Sequence, residues 1–229
     1  MYLFLFDVDG TLIKSGNAGK KALERVFNEI YEVKNAMADI VPDGKTDIEI
    51  IKEILAKKTD IDVIDDGIVE FIVSMYVKYL ESTIENPDYA VIEGVKEFVQ
   101  KIYYSKKNLA GLATGNVEMG AKIKLKPSGL LKFFKFGAFG SDSEDRVKVL
   151  QIAKERAIKL IGEEIEKVYV IGDTPKDIEA AQKAGFISVG VATGNYSMDD
   201  LYKENPDFLF KSLRDPDAMK LLKDWEMFS

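Results

Sequence analysis

Residues 1–11 read MYLFLFDVDGT. Tyr2 to Phe6 is an unbroken apolar run, rich in aromatics and too short to span a membrane. A strand reads this way when helices cover both its faces, as in a parallel sheet. The run stops abruptly at Asp7. If strand geometry persists to Asp9, the period of two places the Asp7 and Asp9 carboxylates on one side, with Val8 pointing away. Gly10 then supplies the freedom to turn sharply. Two acids at the carboxyl end of a central parallel strand stand where open α/β sheets bind ligands. An ordinary strand with an Asp-Gly turn fits the same letters, so the rest of the chain decides.

Outward from this stretch, residues 15–86 show helical spacing only. Ala22, Val26, Phe27, Ile30 and Tyr31 follow a cap at Ser15 or Asn17. Ile50, Ile51, Ile54 and Leu55 follow a capping box of Thr46 and Glu49. Phe71, Ile72, Met75, Tyr76, Tyr79 and Leu80 follow Asp65 or Asp66, and the three aromatics among them are expected in a core rather than on a ligand. After the break at Asn86-Pro87-Asp88 the pattern changes to short buried strands alternating with helices. Strands are expected at residues 109–113, within 133–139, and at 168–171, 186–191 and 208–210. Such alternation means right-handed βαβ units. The expected fold class is therefore α/β: a Rossmann-like, doubly wound parallel sheet built from residues 1–14 and 87–229. An all-helical domain of residues 15–86 is inserted after the first strand.

Composition narrows the chemistry. A chain of 229 residues can bury a full core. No apolar run approaches the roughly 18–20 residues of a membrane helix, and no positive charge precedes the first one, so neither a membrane span nor a secretory signal is expected. The net charge of −7 argues against a dedicated nucleic-acid binder. With no cysteine there is no disulfide framework or thiolate metal site, which suits the cytoplasm. The absence of histidine removes Ser-His-Asp and Cys-His catalysis and every His-ligated metal. Acid–base or metal chemistry falls to carboxylates, lysine, tyrosine and backbone groups, and such oxygen ligands suit a hard cation, Mg²⁺ above all.

Three of the expected strands end in small polar clusters: Asp7 and Asp9; Thr114-Gly115-Asn116; and Asp173 with Asp177. In a doubly wound sheet these ends converge on one crevice. A phosphate ester is an anion that repels an attacking carboxylate. Carboxylates from two strands can hold Mg²⁺, which masks that repulsion, while a hydroxyl and free N–H groups at Thr114 to Val117 bind the remaining oxygens. One basic residue completes the neutralisation.

With DVDGT at 7–11, TGN at 114–116 and GDTPKD at 172–177 in this order, the chain resembles the haloacid dehalogenase superfamily, in its phosphoglycolate-phosphatase-like form. Residues 15–86 resemble that family's helical cap. The resemblance implies that Asp7 is the nucleophile that forms an aspartyl-phosphate. It implies that Asp9 protonates the leaving alcohol and then activates water. Mg²⁺ would be held by the Asp7 carboxylate, the Asp9 carbonyl and Asp173, with Asp177 orienting that set. Thr114 and Asn116 would bind the transferred phosphoryl group, with Gly10, Thr11 and Gly115 in the same substrate-binding loops.

One motif departs from the family pattern, which places a lysine before the helix after the third strand. Here the stretch reads Ser143-Glu144-Asp145-Arg146-Val147-Lys148. Arg146, at the helix start, is taken as the phosphate-neutralising cation and Lys148 as its alternative. In the inserted segment, Lys45 in Asp43-Gly44-Lys45-Thr46 is placed to read an anionic substrate group. The implied activity is Mg²⁺-dependent hydrolysis of a small phosphorylated metabolite by a monomer or weak homodimer. A phosphomutase, a non-catalytic binder of the same fold and a receiver-type module are the alternatives. A true dehalogenase, which needs no metal, leaves the Asp9 and Asp173 pair without a use.

Overall fold

The computed structural model describes residues 1–222. Tyr2–Phe6 forms β1, and it is paired in parallel on both edges, with β4 (Asn108–Thr114) and with β6 (Lys167–Gly172). The other strands are β2 (Ile13–Ser15), β3 (Tyr89–Val91), β5 (Gly137–Phe139), β7 (Ile187–Val191) and β8 (Phe208–Phe210). The main sheet runs β5-β4-β1-β6-β7-β8, and each adjacent pair is parallel.

Each face of β1 has its own core, which is why its sequence does not alternate. Phe4 and Phe6 pack with Val95, Phe98, Val99 and Ile102 of α4 (Val95–Tyr104) and with Ala121 and Leu125 of α5 (Glu118–Leu125). Leu3 and Leu5 pack on the opposite side, against Val149, Leu150 and Ala153 of α6 (Arg146–Ile161) and Ala180 and Ala181 of α7 (Pro175–Lys183). All four β1 side chains are fully buried, and each such burial stabilises the sheet by roughly 1.5–3 kcal/mol. Two short helices, α8 (Met198–Tyr202) and α9 (Pro216–Met219), flank β8 in sequence.

Between β1 and β4 the chain leaves the sheet and forms α1 (Ala18–Tyr31), α2 (Asp47–Lys58) and α3 (Asp66–Thr83). These share a separate core around Phe27, Ile51, Ile54, Leu55, Ile72 and Leu80. The Thr46–Glu49 capping box is present, and the Asp65 side chain accepts from Ile68 N. Two expectations fail here. Phe71 is 51% exposed rather than core, because it lies on the outer face of α3. Ser15 belongs to β2, and Asn17, at the start of α1, has a left-handed φ of 62° and makes no side-chain cap bond.

The sequence reading placed no strand beside residues 15–86. In fact the outgoing and returning chains pair antiparallel, Ile13 with Val91 and Ser15 with Tyr89. Three residues a side are too few for a period to show. Residues 223–229 of the expected 87–229 segment lie outside the described residues. Among the described residues no helix is long and apolar enough to cross a membrane.

Candidate active site

β1, β4 and β6 end side by side, and the polar residues after them line one cavity of about 420 Å³. Asp7 leaves β1 with its backbone N–H still donating to Ile171 O of β6 at 3.0 Å. Asp173 follows β6 directly, and Asp177 sits in the first turn of α7. One carboxylate oxygen from each of Asp7, Asp173 and Asp177 lies within 4.8 Å of the others. Thr11 Oγ1 donates to Asp173 Oδ1 at 2.9 Å, and Thr174 Oγ1 donates to Asp177 Oδ2 at 2.7 Å. Arg146, the first residue of α6, hydrogen-bonds Asp177 and places Nη1 3.6 Å from Asp7 Oδ1. Lys148, two residues further along the same helix, is exposed.

Two glycines admit Asp173 to this position. A Cβ on Gly10, whose φ is +78°, would stand 2.2 Å from Asp173 Oδ2, and one on Gly194 would stand 1.7 Å from it. Three acids therefore share a largely dehydrated site with one guanidinium. Burial pushes the Asp7 carboxyl up to about 7, with Asp177 and Asp9 adding to the rise and Arg146 and Thr114 opposing it. Burial, then Asp177 and Asp7, push Asp173 up to about 9. Burial works against the charge on Arg146, but Asp177 and Asp7 outweigh it and hold the guanidinium charged. A convergent set of carboxylate oxygens short of positive charge fits a hard divalent cation, so the donor chemistry suits Mg²⁺.

Asp9 is not part of this trio. The strand ends at Phe6, so the period of two no longer governs where Asp9 points. Its carboxylate accepts from Lys124 Nζ at 2.7 Å, Ser15 Oγ at 2.7 Å and Asn116 Nδ2 at 3.0 Å. Burial opposes its charge, but the Lys124 ammonium and these three hydrogen bonds outweigh that and hold the carboxyl below its ordinary value. Side-chain oxygens of Asp7, Asp173 and Asp177 thus form one set that could hold a metal, while the Asp9 carboxylate, as distinct from the Asp9 carbonyl expected as a ligand, is bound to Lys124.

Thr114 closes β4, and its hydroxyl favours the charged form of the Asp7 carboxyl. The side chain of Asn116 is turned to its neighbours rather than left open: Nδ2 donates to Asp9 and to Thr114 Oγ1, and Oδ1 accepts from Lys124. Gly115 meets the helical block. Its carbonyl accepts from Asp47 N at 2.8 Å, and a Cβ there would fall 2.5 Å from Lys45 O. Residues 43–47 therefore sit over the loop after β4, where the sequence reading put them. Lys45 lines the cavity, but its ammonium pairs with Glu53 at 2.5 Å.

Several residues of the site were missed in the sequence. Lys124 lies at the i, i+4, i+7 spacing with Val117 and Ala121, so a cation on the apolar stripe of α5 was the available signal. The tetrapeptide ATGN occurs twice, at 113–116 and at 192–195, and the second copy also reaches the crevice. There Thr193 Oγ1 donates to Gly10 O at 2.6 Å, Gly194 abuts Asp173, and Asn195 donates to Asp43. Asp47 and Tyr76 carried no signal beyond helix capping and helical spacing.

Comparison with known proteins gives three concordant results. The family model described as haloacid dehalogenase-like hydrolase matches residues 1–185. Pyrophosphatase PpaX of Listeria monocytogenes is 28% identical over 226 residues, which cover 97% of this chain and 96% of that protein. A phosphoglycolate phosphatase of Aquifex aeolicus is 29% identical over 229 residues, covering 97% of both chains. Among solved structures, a hydrolase from Pseudomonas syringae superposes with a TM-score of 0.71 at 21% identity, covering 98% of this chain and 100% of that one.

Proposed function

The chain belongs to the haloacid dehalogenase-like hydrolases, and from that premise we propose that it hydrolyses a small phosphate monoester through an aspartyl-phosphate on Asp7. The observation that carries this reading is the convergence of Asp7, Asp173, Asp177 and Arg146 from separate elements, with Thr114 lining the same cavity. The relatives named for pyrophosphate and phosphoglycolate hydrolysis support a phosphate substrate without naming this one. Membership over residues 1–185 displaces the receiver-type alternative.

In the reading proposed, Asp7 attacks phosphorus and the bond to the ester oxygen breaks. The departing oxygen takes a proton from Asp9. Arg146 balances the phosphoryl oxygens, and Thr114 holds Asp7 in line. Water then attacks the aspartyl-phosphate, Asp9 takes its proton, and inorganic phosphate leaves. Mg²⁺, held by Asp7, Asp173 and Asp177, would supply charge neutralisation and orient the phosphoryl oxygens. Residues 43–47 would act as the part of a helical cap that excludes water from the crevice. The acidic, cysteine-free composition suits a cytoplasmic enzyme.

Phosphate release from p-nitrophenyl phosphate with and without Mg²⁺ tests this directly. Metal-dependent release that vanishes in Asp7→Asn is the expected result; release that survives the substitution removes the nucleophile. A panel of phosphorylated metabolites with sugar bisphosphates included then identifies the substrate and exposes any phosphomutase activity.

A further inference from the structure

Lys124 carries a charge that the chemistry above does not use, and only 5% of it is exposed. It sits on the buried stripe of α5, so packing rather than solvent sets its direction. An ammonium has three protons to donate. Here Asp9 Oδ2 at 2.7 Å and Asn116 Oδ1 at 2.5 Å take two of them, and the Tyr76 hydroxyl stands beside the ammonium. Tyr76 comes from α3, is 1% exposed, and lies next to the buried Asp47 carboxylate of α2. Asp47 in turn accepts from Val117 N, at the head of α5, at 2.8 Å. Buried polar groups thus run without a break from the Asp9 carboxylate to two helices of the inserted block. Among the described residues no buried side-chain nitrogen or oxygen lacks a hydrogen-bond partner.

We infer that Lys124 is the positioning residue of Asp9, and that Tyr76 and Asp47 anchor it from the helical block. The carboxylate proposed to handle the reaction's protons then stands where Lys124 puts it, not where β1 would point it. A buried ion pair that served only to hold α5 in place would have no such link to the proton transfer.

The inference rests on the phosphatase reading, and two esters separate their fates. Phenolate is a poor leaving group that needs a proton, whereas p-nitrophenolate departs readily as the anion. The ratio kcat/KM, which reports on phosphoryl transfer to the enzyme, is measured for phenyl phosphate and p-nitrophenyl phosphate with Mg²⁺. General acid–base catalysis is worth about a hundredfold or more. Lys124→Met is accordingly expected to lose on the order of ten times more activity on phenyl phosphate than on p-nitrophenyl phosphate. Equal losses on the two esters, or no loss, overturn the inference while leaving the phosphatase reading intact. A wild-type protein that releases phosphate from neither ester overturns both. Should circular dichroism show that Lys124→Met does not fold, Tyr76→Phe, which deletes a single hydroxyl, is measured in the same way. A loss several-fold larger on phenyl phosphate then supports the inference, and an ester-independent one refutes it.

Discussion

Binding of Mg²⁺ to the metal-free protein is expected to expel protons and to tighten steeply with pH. The Asp7 carboxyl titrates near about 7 and that of Asp173 near about 9, both far above a free aspartate. A metal ion takes these groups only as carboxylates, so every proton they carry must leave when it binds. At about pH 7 Asp7 is half protonated and Asp173 almost fully so, which gives a release of roughly 1.5 protons. Between about pH 6 and 8 the affinity gains about one decade from Asp7 and about two from Asp173, on the order of a thousandfold in all. Calorimetric titration in two buffers of unlike ionisation enthalpy yields the proton count and the affinity together. Asp173→Asn is expected to lower the count by about one. A count of zero, or an affinity that moves less than about tenfold across this range, would mean that the ion does not bind where the acids converge. The same shifts fix the sign of a stability effect. Both folded values lie above the unfolded one, so the folded state keeps protons that the unfolded state has shed. Metal-free stability is therefore lost as pH rises from about 4 through about 9, and Mg²⁺ restores more of it at the upper end. Melting curves with and without the ion are expected to separate further near pH 9 than near pH 6.

Three further outcomes follow from the same geometry. Asp7→Asn is expected to cut turnover by more than about a thousandfold without lowering the metal-free melting temperature, since it removes one of three crowded carboxylates; a clear loss of stability would contradict this. Gly194→Ala would set a Cβ 1.7 Å from Asp173 Oδ2 and force that carboxylate to move, so Mg²⁺ affinity is expected to fall about tenfold or more with the fold retained. Arg146→Ala is expected to cost about a hundredfold in kcat/KM and Lys148→Ala less than about twofold, and comparable losses would return Lys148 to consideration.

Much of the frame was legible because local and global signals agree. The apolar run of β1 predicted a strand covered on both sides, and its two faces do enter separate cores. Thr46 and Glu49 form their capping box, and the acids after β1 and β6 meet in space. What escaped depended on contacts between distant segments. The pairing of β2 with β3 joins residues far apart in the chain through three positions each, with no room for a period. The direction of Asp9 followed from the end of β1 at Phe6 and from Lys124, more than a hundred residues away. Phe71 fits the helical spacing of α3 yet faces outward, because spacing alone does not say how wide a helix's buried stripe is. Choosing Arg146 over Lys148 needed only the observation that a helix's first residue faces the crevice.

Asp7 and Asp9 stand two residues apart, and their surroundings drive them in opposite directions. Burial and two neighbouring acids raise the first; Lys124 lowers the second against the same burial. The separation belongs to the metal-free site, in which no metal cation offsets the acids around Asp7. It is made by parts of the chain that meet only on folding. Acids that crowd Asp7 come from far along the chain, through the neighbouring strand β6 and α7, and Gly10 and Gly194 leave room for Asp173 to approach. The cation that holds Asp9 comes from α5, and beside it stands Tyr76 of α3, in the helical block inserted after β1. Inserting the helical block at this point in the sequence therefore does more than lay a cover over the crevice. It brings Tyr76 and Asp47 to the far side of Lys124, so any displacement of the block disturbs the ammonium that fixes Asp9. The trio of Asp7, Asp173 and Asp177, held by β1, β6 and α7, has no bond to that block and would stay assembled.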